Sequence, residues 1–342
     1  MKVFRLGLLG FGNVNRTLVE LLQKKDTELR ERHGIQWQIT GVASRRIGWR
    51  VNAAGFDATG LLRASGSDAF AGIQGQECKR YNDWLDAARP DVVFEATSLN
   101  VENGQPAIDH IRAALEHGAH AITANKGPIV HAYEELREVA KQHGKQFLFE
   151  STVMDGVPIF SLFRNALPAI EVKGFTGILN STTNVILTGM EGGLSFDDSL
   201  AEARHLGIAE TDASYDIDGW DAAVKVAALV NVIMGVRLPP DKVRREGIRG
   251  LSAEAVRAAR RAGTPYKLMC RARRNKNGSA VDATVSPEQI PLTDPMALVS
   301  GTSSIIQFET DIFPGLTLTE ENPGLYATAY GMLADFIRAA GS

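Results

Sequence analysis

Only two cysteines, Cys78 and Cys270, occur in the 342 residues, which excludes a disulfide-stapled scaffold and a four-cysteine zinc site and points to a reducing compartment. No run of about 20 apolar residues offers a membrane span, and the opening Met1-Lys2-Val3-Phe4-Arg5-Leu6-Gly7 lacks the long apolar core of a secretory signal. Neither sign of charge dominates. The 37 basic and 40 acidic residues leave a net charge of −3, without the broad positive field that a nucleic-acid backbone requires. Solenoid periods and long polar blocks are missing as well, which removes repeat arrays and pervasive disorder. What is present is a 44% hydrophobic chain, long enough for two domains with cores of their own. The expectation is a cytoplasmic globular protein with neither a nucleic-acid nor a membrane partner.

Residues 3–9 read as a buried strand, Gly10-Phe11-Gly12-Asn13 as a turn, and 17–29 as an amphipathic helix. Further strands are expected at 37–42, 91–96, 119–123 and 147–150, with helices at 105–118 and 134–143. Alternating strands and helices predict a parallel sheet. The topology of 48–80, weak in period and rich in Gly, Ala and Ser, stays open. After about residue 150 the pattern becomes mixed, with helices at 200–206, 219–234 and 254–262, strands at 266–272, 280–285, 297–299 and 304–309, and a terminal helix at 326–340. Asn275-Lys276-Asn277-Gly278 reads as a hairpin turn whose basic residue faces water.

Gly10 and Gly12 stand where a dinucleotide turn needs residues without side chains, one for the sharp bend and one for close approach of a pyrophosphate to backbone N–H groups. Asn15 occupies the third glycine position of that pattern. The second strand ends at Val42-Ala43-Ser44-Arg45-Arg46, with no acid to accept from an adenine ribose. Arg45 or Arg46 could pair with a 2′-phosphate, which favours NADP over NAD, although both could equally face solvent.

The most informative stretch runs from Asn180-Ser181-Thr182-Thr183-Asn184 through Gly207-Ile208-Ala209-Glu210-Thr211-Asp212 to Asp216-Ile217-Asp218-Gly219-Trp220-Asp221-Ala222-Ala223-Val224-Lys225. Asp221 and Lys225 are four apart on one helix face, a spacing that also serves an ordinary surface ion pair. Together with Gly10 and the Ala124-Asn125-Lys126 segment, this long spaced pattern resembles the homoserine dehydrogenase family over almost the whole chain.

The resemblance implies an α/β fold, a Rossmann-type nucleotide-binding domain with an inserted α+β substrate and dimerisation domain. It places the nucleotide domain at 1–150, the catalytic and dimerisation domain at 151–318, and a C-terminal helix at 319–342 returning to the nucleotide domain. It implies reversible oxidation of L-homoserine to L-aspartate 4-semialdehyde with NADP or NAD, on the route to threonine, methionine and isoleucine, in a homodimer. Lys126 and Lys225 match its active-site lysines, with Lys225 as acid/base and Lys126 as electrostatic companion, roles that could be exchanged. Thr182, Glu210, Asp216 and Asp221 match its substrate shell, with Thr182, like Asn184, able to bond backbone instead. Gly10, Gly12, Asn13, Val14, Ser44, Arg45, Arg46, Thr97, Ser98, Lys126 and Gly324 match its cofactor contacts. The passage with Glu150, Val153, Asp155 and Val157 matches a sodium site built largely from carbonyls, an option and not a requirement. Asn15, Asp155 and Glu320-Glu321-Asn322 depart from the family pattern, which leaves a related amino alcohol as substrate, or a catalytically silent nucleotide-sensing or structural protein, as alternatives.

Overall fold

The computed structural model describes residues 2–64, 75–275, 277–278 and 280–341. Part of the open 48–80 stretch, and Lys276 of the hairpin turn, lie outside the described residues. The chain forms two compact units, one of Met1–Ile159 with Gly324–Ser342 and one of Phe160–Pro323.

The first unit is built on strands β1 (Lys2–Leu9), β2 (Ile35–Ser44), β3 (Gly48–Val51), β4 (Gln76–Cys78), β5 (Val92–Glu95), β6 (His120–Thr123) and β7 (Phe147–Leu148), in the order β4-β3-β2-β1-β5-β6-β7. The run from β2 to β7 is parallel, while β3 and β4 add antiparallel to its edge. The near-continuous apolar character of β1 and β5 suits strands covered on both faces. Phe4, Leu6, Leu8, Val92 and Phe94 are buried with Leu18, Val19 and Leu22 of helix Asn13–Lys24. The terminal helix Leu325–Ala340 joins the same core: Phe336 meets the rings of Phe4 and Phe94 edge-on at 5.6 and 5.8 Å. Burial of such side chains is worth about 1.5–3 kcal/mol each, enough to bring the chain back after a long insertion.

The second unit has strands β8 (Val172–Ile178), β9 (Arg244–Arg245), β10 (Tyr266–Arg274), β11 (Val281–Gln289), β12 (Ser304–Thr310) and β13 (Leu316–Glu320), ordered β13-β12-β8-β10-β11-β9. All neighbours are antiparallel except β9 with β11. Helices Ser181–Glu191, Phe196–His205, Trp220–Leu229 and Ala253–Arg261 complete an α+β unit. β10 and β11 pair through to Arg274 and Val281, so the expected hairpin forms.

Three expectations are corrected. The helix drawn over 17–29 is two, Asn13–Lys24 and Asp26–His33, because Lys25 leaves helical geometry (φ −100°, ψ 4°) and Asp26 turns to accept from the Trp37 indole at 3.1 Å. The strand drawn at 297–299 is a 3-10 turn, Pro295–Leu298, started by a proline and capped by Asp294, whose carboxylate accepts from the Met296 N–H. The helix expected at 134–143 begins at Lys126, since Pro128 falls in the first turn, where no N–H is needed. Among the described residues no helix is long and apolar enough to cross a membrane.

Candidate functional site

Each unit carries one constellation. In the first, β1 ends on Gly10, whose φ of +82° lies in the left-handed region, and a Cβ there would stand 2.4 Å from the Ala96 carbonyl oxygen. Only glycine fits. Gly12 caps helix Asn13–Lys24 without any side-chain bond, and a Cβ on it would meet nothing within 4 Å. That open space in front of a helix N-terminus suits a pyrophosphate, and exposed Asn13 and half-buried Val14 flank it.

Asn15 explains how the turn manages without a third glycine. Its side chain is fully buried, and its Nδ2 donates to the carbonyls of Leu9 (3.0 Å) and Gly10 (3.1 Å). An amide tie between strand end and helix replaces close packing, and the buried Oδ1 finds no partner among the described residues. At the end of β2 the Ser44 hydroxyl accepts from the N–H groups of Arg46 and Ile47 (3.3 and 3.4 Å), shaping a turn from which Arg45 and Arg46 reach solvent.

Thr97 and exposed Ser98 follow β5, and Lys126 opens helix Lys126–Gln142 after β6, the neighbouring strand. Asn125 caps that helix, its Oδ1 accepting from Gly127 N–H at 2.9 Å. Buried Glu95 accepts from the Thr97 N–H (2.8 Å) and the Thr123 hydroxyl (2.6 Å), and burial pushes its carboxyl above the ordinary carboxylate range. Gly324 is the exposed N-cap of the terminal helix. The preceding Asn322 takes up left-handed backbone (φ 47°), which asparagine tolerates better than most residues, and its N–H bonds Ser303 Oγ at 3.0 Å.

The metal expectation finds little support in side chains. Met154 and Asp155 form a left-handed pair (φ 54° and 49°). Asp155 accepts from the Thr328 hydroxyl, Glu150 lies 3.8 Å from the Arg338 guanidinium, and the Val157 carbonyl accepts from Ile159 N–H at 2.8 Å, while Val153 is buried. Both acidic side chains are engaged by other side chains and the Val157 carbonyl already accepts one N–H, and no step below passes through a cation at these residues. No group of three or more His, Cys, Asp or Glu suited to a metal occurs among the described residues.

In the second unit, helix Ser181–Glu191 is capped by Asn180, whose Oδ1 accepts from the Thr183 N–H (2.9 Å) and hydroxyl (2.8 Å). Its Nδ2 points the other way and donates to both Asp216 Oδ1 (2.7 Å) and Asp221 Oδ2 (2.9 Å). Lys225 Nζ lies 2.9 Å from Asp221 Oδ2 and donates to the Leu179 carbonyl at 2.6 Å. The Lys225 and Asp221 side chains are only 16% and 12% exposed, so this is no surface pair. Burial, then the Asp221 charge, pushes the Asp216 carboxyl upward, against donors at Asn180 and Thr182 and the Lys225 charge.

Thr182, Asp216, Asp221 and Lys225 therefore come together, while Glu210 does not: it is exposed, and its carbonyl accepts from Arg204 at 3.4 Å. Thr182 also reaches the Ile208 carbonyl at 3.4 Å. Asn184 is engaged elsewhere, donating to Gly301 O at 3.0 Å and accepting from Lys267 Nζ at 3.4 Å. Asp218 faces Arg249 at 2.9 Å, away from the cluster's bonds. Sequence reasoning missed Asn180 and Glu95 as site residues. The first carries a signal, an asparagine between a strand and a helix, and the second is an acid closing the apolar run Val92-Val93-Phe94.

Two family models match the chain, "Homoserine dehydrogenase, NAD binding domain" over residues 10–150 and "Homoserine dehydrogenase" over 158–337. An NAD(+)-dependent homoserine dehydrogenase of Pseudomonas canavaninivorans is 35% identical over 339 residues, covering 98% of this chain and 96% of that protein. A homoserine dehydrogenase of Methanocaldococcus jannaschii is 34% identical, with 96% of each chain covered. Among solved structures, a putative homoserine dehydrogenase from Archaeoglobus fulgidus superposes with a TM-score of 0.86 at 29% identity over 98% of both chains. A hyperthermophilic archaeal homoserine dehydrogenase in complex with NADPH gives 0.82 at 27% identity, covering 99% of this chain and 98% of that one. With a Rossmann-type NAD-binding domain, an inserted α+β domain and relatives matched from end to end, the chain belongs to the homoserine dehydrogenase family.

Proposed function

We propose that the protein interconverts L-homoserine and L-aspartate 4-semialdehyde with NADP or NAD, on the route to threonine, methionine and isoleucine. The observation that carries the reading is the buried cluster in which Asp221 and the Leu179 carbonyl hold the Lys225 amine beside Asp216 and Asn180. Oxidising a primary alcohol needs a base at its hydroxyl, and reducing the aldehyde needs a proton donor where an alkoxide develops. Lys225, once neutral, takes the hydroxyl proton, and its ammonium returns it in the reverse direction. Lys126 contributes positive charge and orientation. The nicotinamide, when bound, accepts or supplies the hydride.

Asp216 anchors the substrate's α-ammonium group, Thr182 adds a hydroxyl, and Asp221 fixes Lys225. Burial favours the neutral form of Asp216, and an arriving cation favours its ionised form, so the substrate completes the site's charge balance. Gly10, Gly12, Asn13 and Val14 cradle the pyrophosphate, with Thr97, Ser98 and Gly324 serving the rest of the dinucleotide. Solvent-facing Arg45 and Arg46 beside Ser44 support pairing with a 2′-phosphate.

The deciding experiment follows nucleotide consumption over a matrix of L-homoserine, related amino alcohols, NAD and NADP. Turnover is expected with homoserine, and none with any pair despite tight nucleotide binding overturns the enzymatic reading. NADP affinity unchanged by joint Arg45→Ala and Arg46→Ala replacement removes the phosphate-pairing role. A homodimer is the expected assembly, checked by sedimentation at several concentrations.

A further inference from the structure

Glu95 stands at the last position of β5, directly paired in register with Thr123, the last residue of β6. It is fully buried, and a buried carboxyl persists only where donors converge on it. One oxygen accepts from both the N–H (2.8 Å) and the hydroxyl of Thr97, and the other accepts from the Thr123 hydroxyl at 2.6 Å. Thr123 Oγ1 in turn accepts from Asn125 N–H at 2.9 Å, and Asn125 Nδ2 reaches back to the Thr97 carbonyl at 3.4 Å. The ring closes on itself. Asn125 Oδ1 holds Gly127 N–H, so the ring also fixes the first turn of the helix that opens with Lys126. Its other side supports the glycine turn, since the Ala96–Thr97 peptide is what a Cβ on Gly10 would strike, at 2.4 Å from Ala96 O and 2.7 Å from Thr97 N.

We propose that Glu95 is a positioning residue, whose carboxyl couples the exits of two adjacent parallel strands and so sets Thr97 and Lys126 relative to each other and to the Gly10 turn. A helix cap alone needs only Asn125, and a strand end alone needs only the last ladder bond, which Ala124 N–H supplies to the Glu95 carbonyl at 3.1 Å. The side-chain ring adds a fixed spacing between groups leaving different strands. Misplacement of a reacting group by about 1 Å costs on the order of a hundredfold in rate. The proposal rests on reading Lys126 as an active-site lysine and Thr97 as a cofactor contact.

The test combines Glu95→Gln, Thr123→Val, their double variant and Thr123→Ser. Glutamine keeps the acceptor for Thr97 N–H but turns an NH2 on Thr123 Oγ1, leaving that hydroxyl's proton without an acceptor, and valine removes the hydroxyl at nearly constant volume. Each single variant should lower kcat about tenfold or more while homoserine KM moves less than about threefold. The double variant should fall no further, because both changes cut the same link, and Thr123→Ser should retain wild-type kcat. Amide exchange at Thr97 and Gly127 should accelerate in both single variants. Wild-type kcat in Glu95→Gln, or losses that multiply in the double variant, overturns the proposal, as does faster exchange without loss of kcat, which makes the ring a structural tie only. Should Glu95→Gln fail to fold, Thr123→Val against Thr123→Ser decides alone. Lys126→Ala run in parallel separates the two readings: wild-type kcat there refutes the lysine's role, whereas an inactive Lys126→Ala beside a fully active Glu95→Gln refutes only the ring's.

Discussion

Replacing Asn180 by aspartate tests the buried cluster with the smallest change available, one NH2 for one oxygen. The helix cap survives, because an oxygen still accepts from the Thr183 N–H and hydroxyl at 2.9 and 2.8 Å. What disappears are the two donors to Asp216 (2.7 Å) and Asp221 (2.9 Å). Hydrogen bonds to charged groups are worth about 1.5–3 kcal/mol each, so losing both would cost about 3–6 kcal/mol. A third carboxyl in a largely buried site relieves this by taking up a proton, which restores one donor and reduces the loss to about 1.5–3 kcal/mol. For a unit of this size that lowers Tm by roughly 3–12 °C, and homoserine KM should rise about tenfold or more. The sign with pH follows from the proton. A carboxyl whose folded pKa is raised above its unfolded value of about 3.9 contributes stability that is complete below that value and is lost as pH rises through the folded one. The Tm deficit of Asn180→Asp against wild type should therefore widen as pH rises above about 4. Asp216, already pushed up by burial and by Asp221, drifts the same way in the wild type, so the difference between the proteins is the quantity to follow, by calorimetry alongside homoserine KM. A deficit independent of pH together with an unchanged KM would falsify the claim that the Asn180 amide balances these carboxylates.

Lys225→Ala should lower kcat by about a hundredfold to ten-thousandfold and destabilise the fold by about 3–5 kcal/mol, because Asp221 is left buried without its cation; wild-type kcat rules out the acid/base role. Gly10→Ala and Gly12→Ala should part company. The first forces a Cβ to 2.4 Å from Ala96 O at a φ of +82° and should abolish nucleotide binding with a marked fall in Tm. The second meets no protein atom within 4 Å, so it should keep its Tm and lose nucleotide affinity about tenfold in a fluorescence titration, and unchanged affinity would refute the cradle. Asn15→Asp replaces a donor to two carbonyls by an acceptor, and should lower Tm and weaken nucleotide binding together, whereas loss of Tm alone would show that the amide tie does not shape the turn.

Local pattern carried much of the architecture. The apolar run of β1, the two glycines after it and the alternation of strands with helices determined a parallel dinucleotide-binding sheet, and the spaced motif from Asn180 to Lys225 marked the second constellation. Finer local choices were less legible. The break at Lys25 depends on a tryptophan eleven positions beyond Asp26, and the start of a helix at Lys126 was hidden by Pro128, which reads as a breaker inside a helix and is harmless in its first turn.

By itself the sequence determined which residues could share a helix face, because spacing along one element is fixed by backbone geometry. It could not determine the medium around them. Asp221 and Lys225 have the spacing of a solvated ion pair, and only the folding of β8, the helix from Ser181 and the helix from Trp220 around them removes most of their water. The same folding carries Asn180 to Asp216 and Asp221, 36 and 41 positions away, and closes the Glu95 ring between strand ends 28 residues apart. Burial and partnership across such separations are set by the packing of whole elements, and it is they that turn ordinary charged and amide side chains into a site.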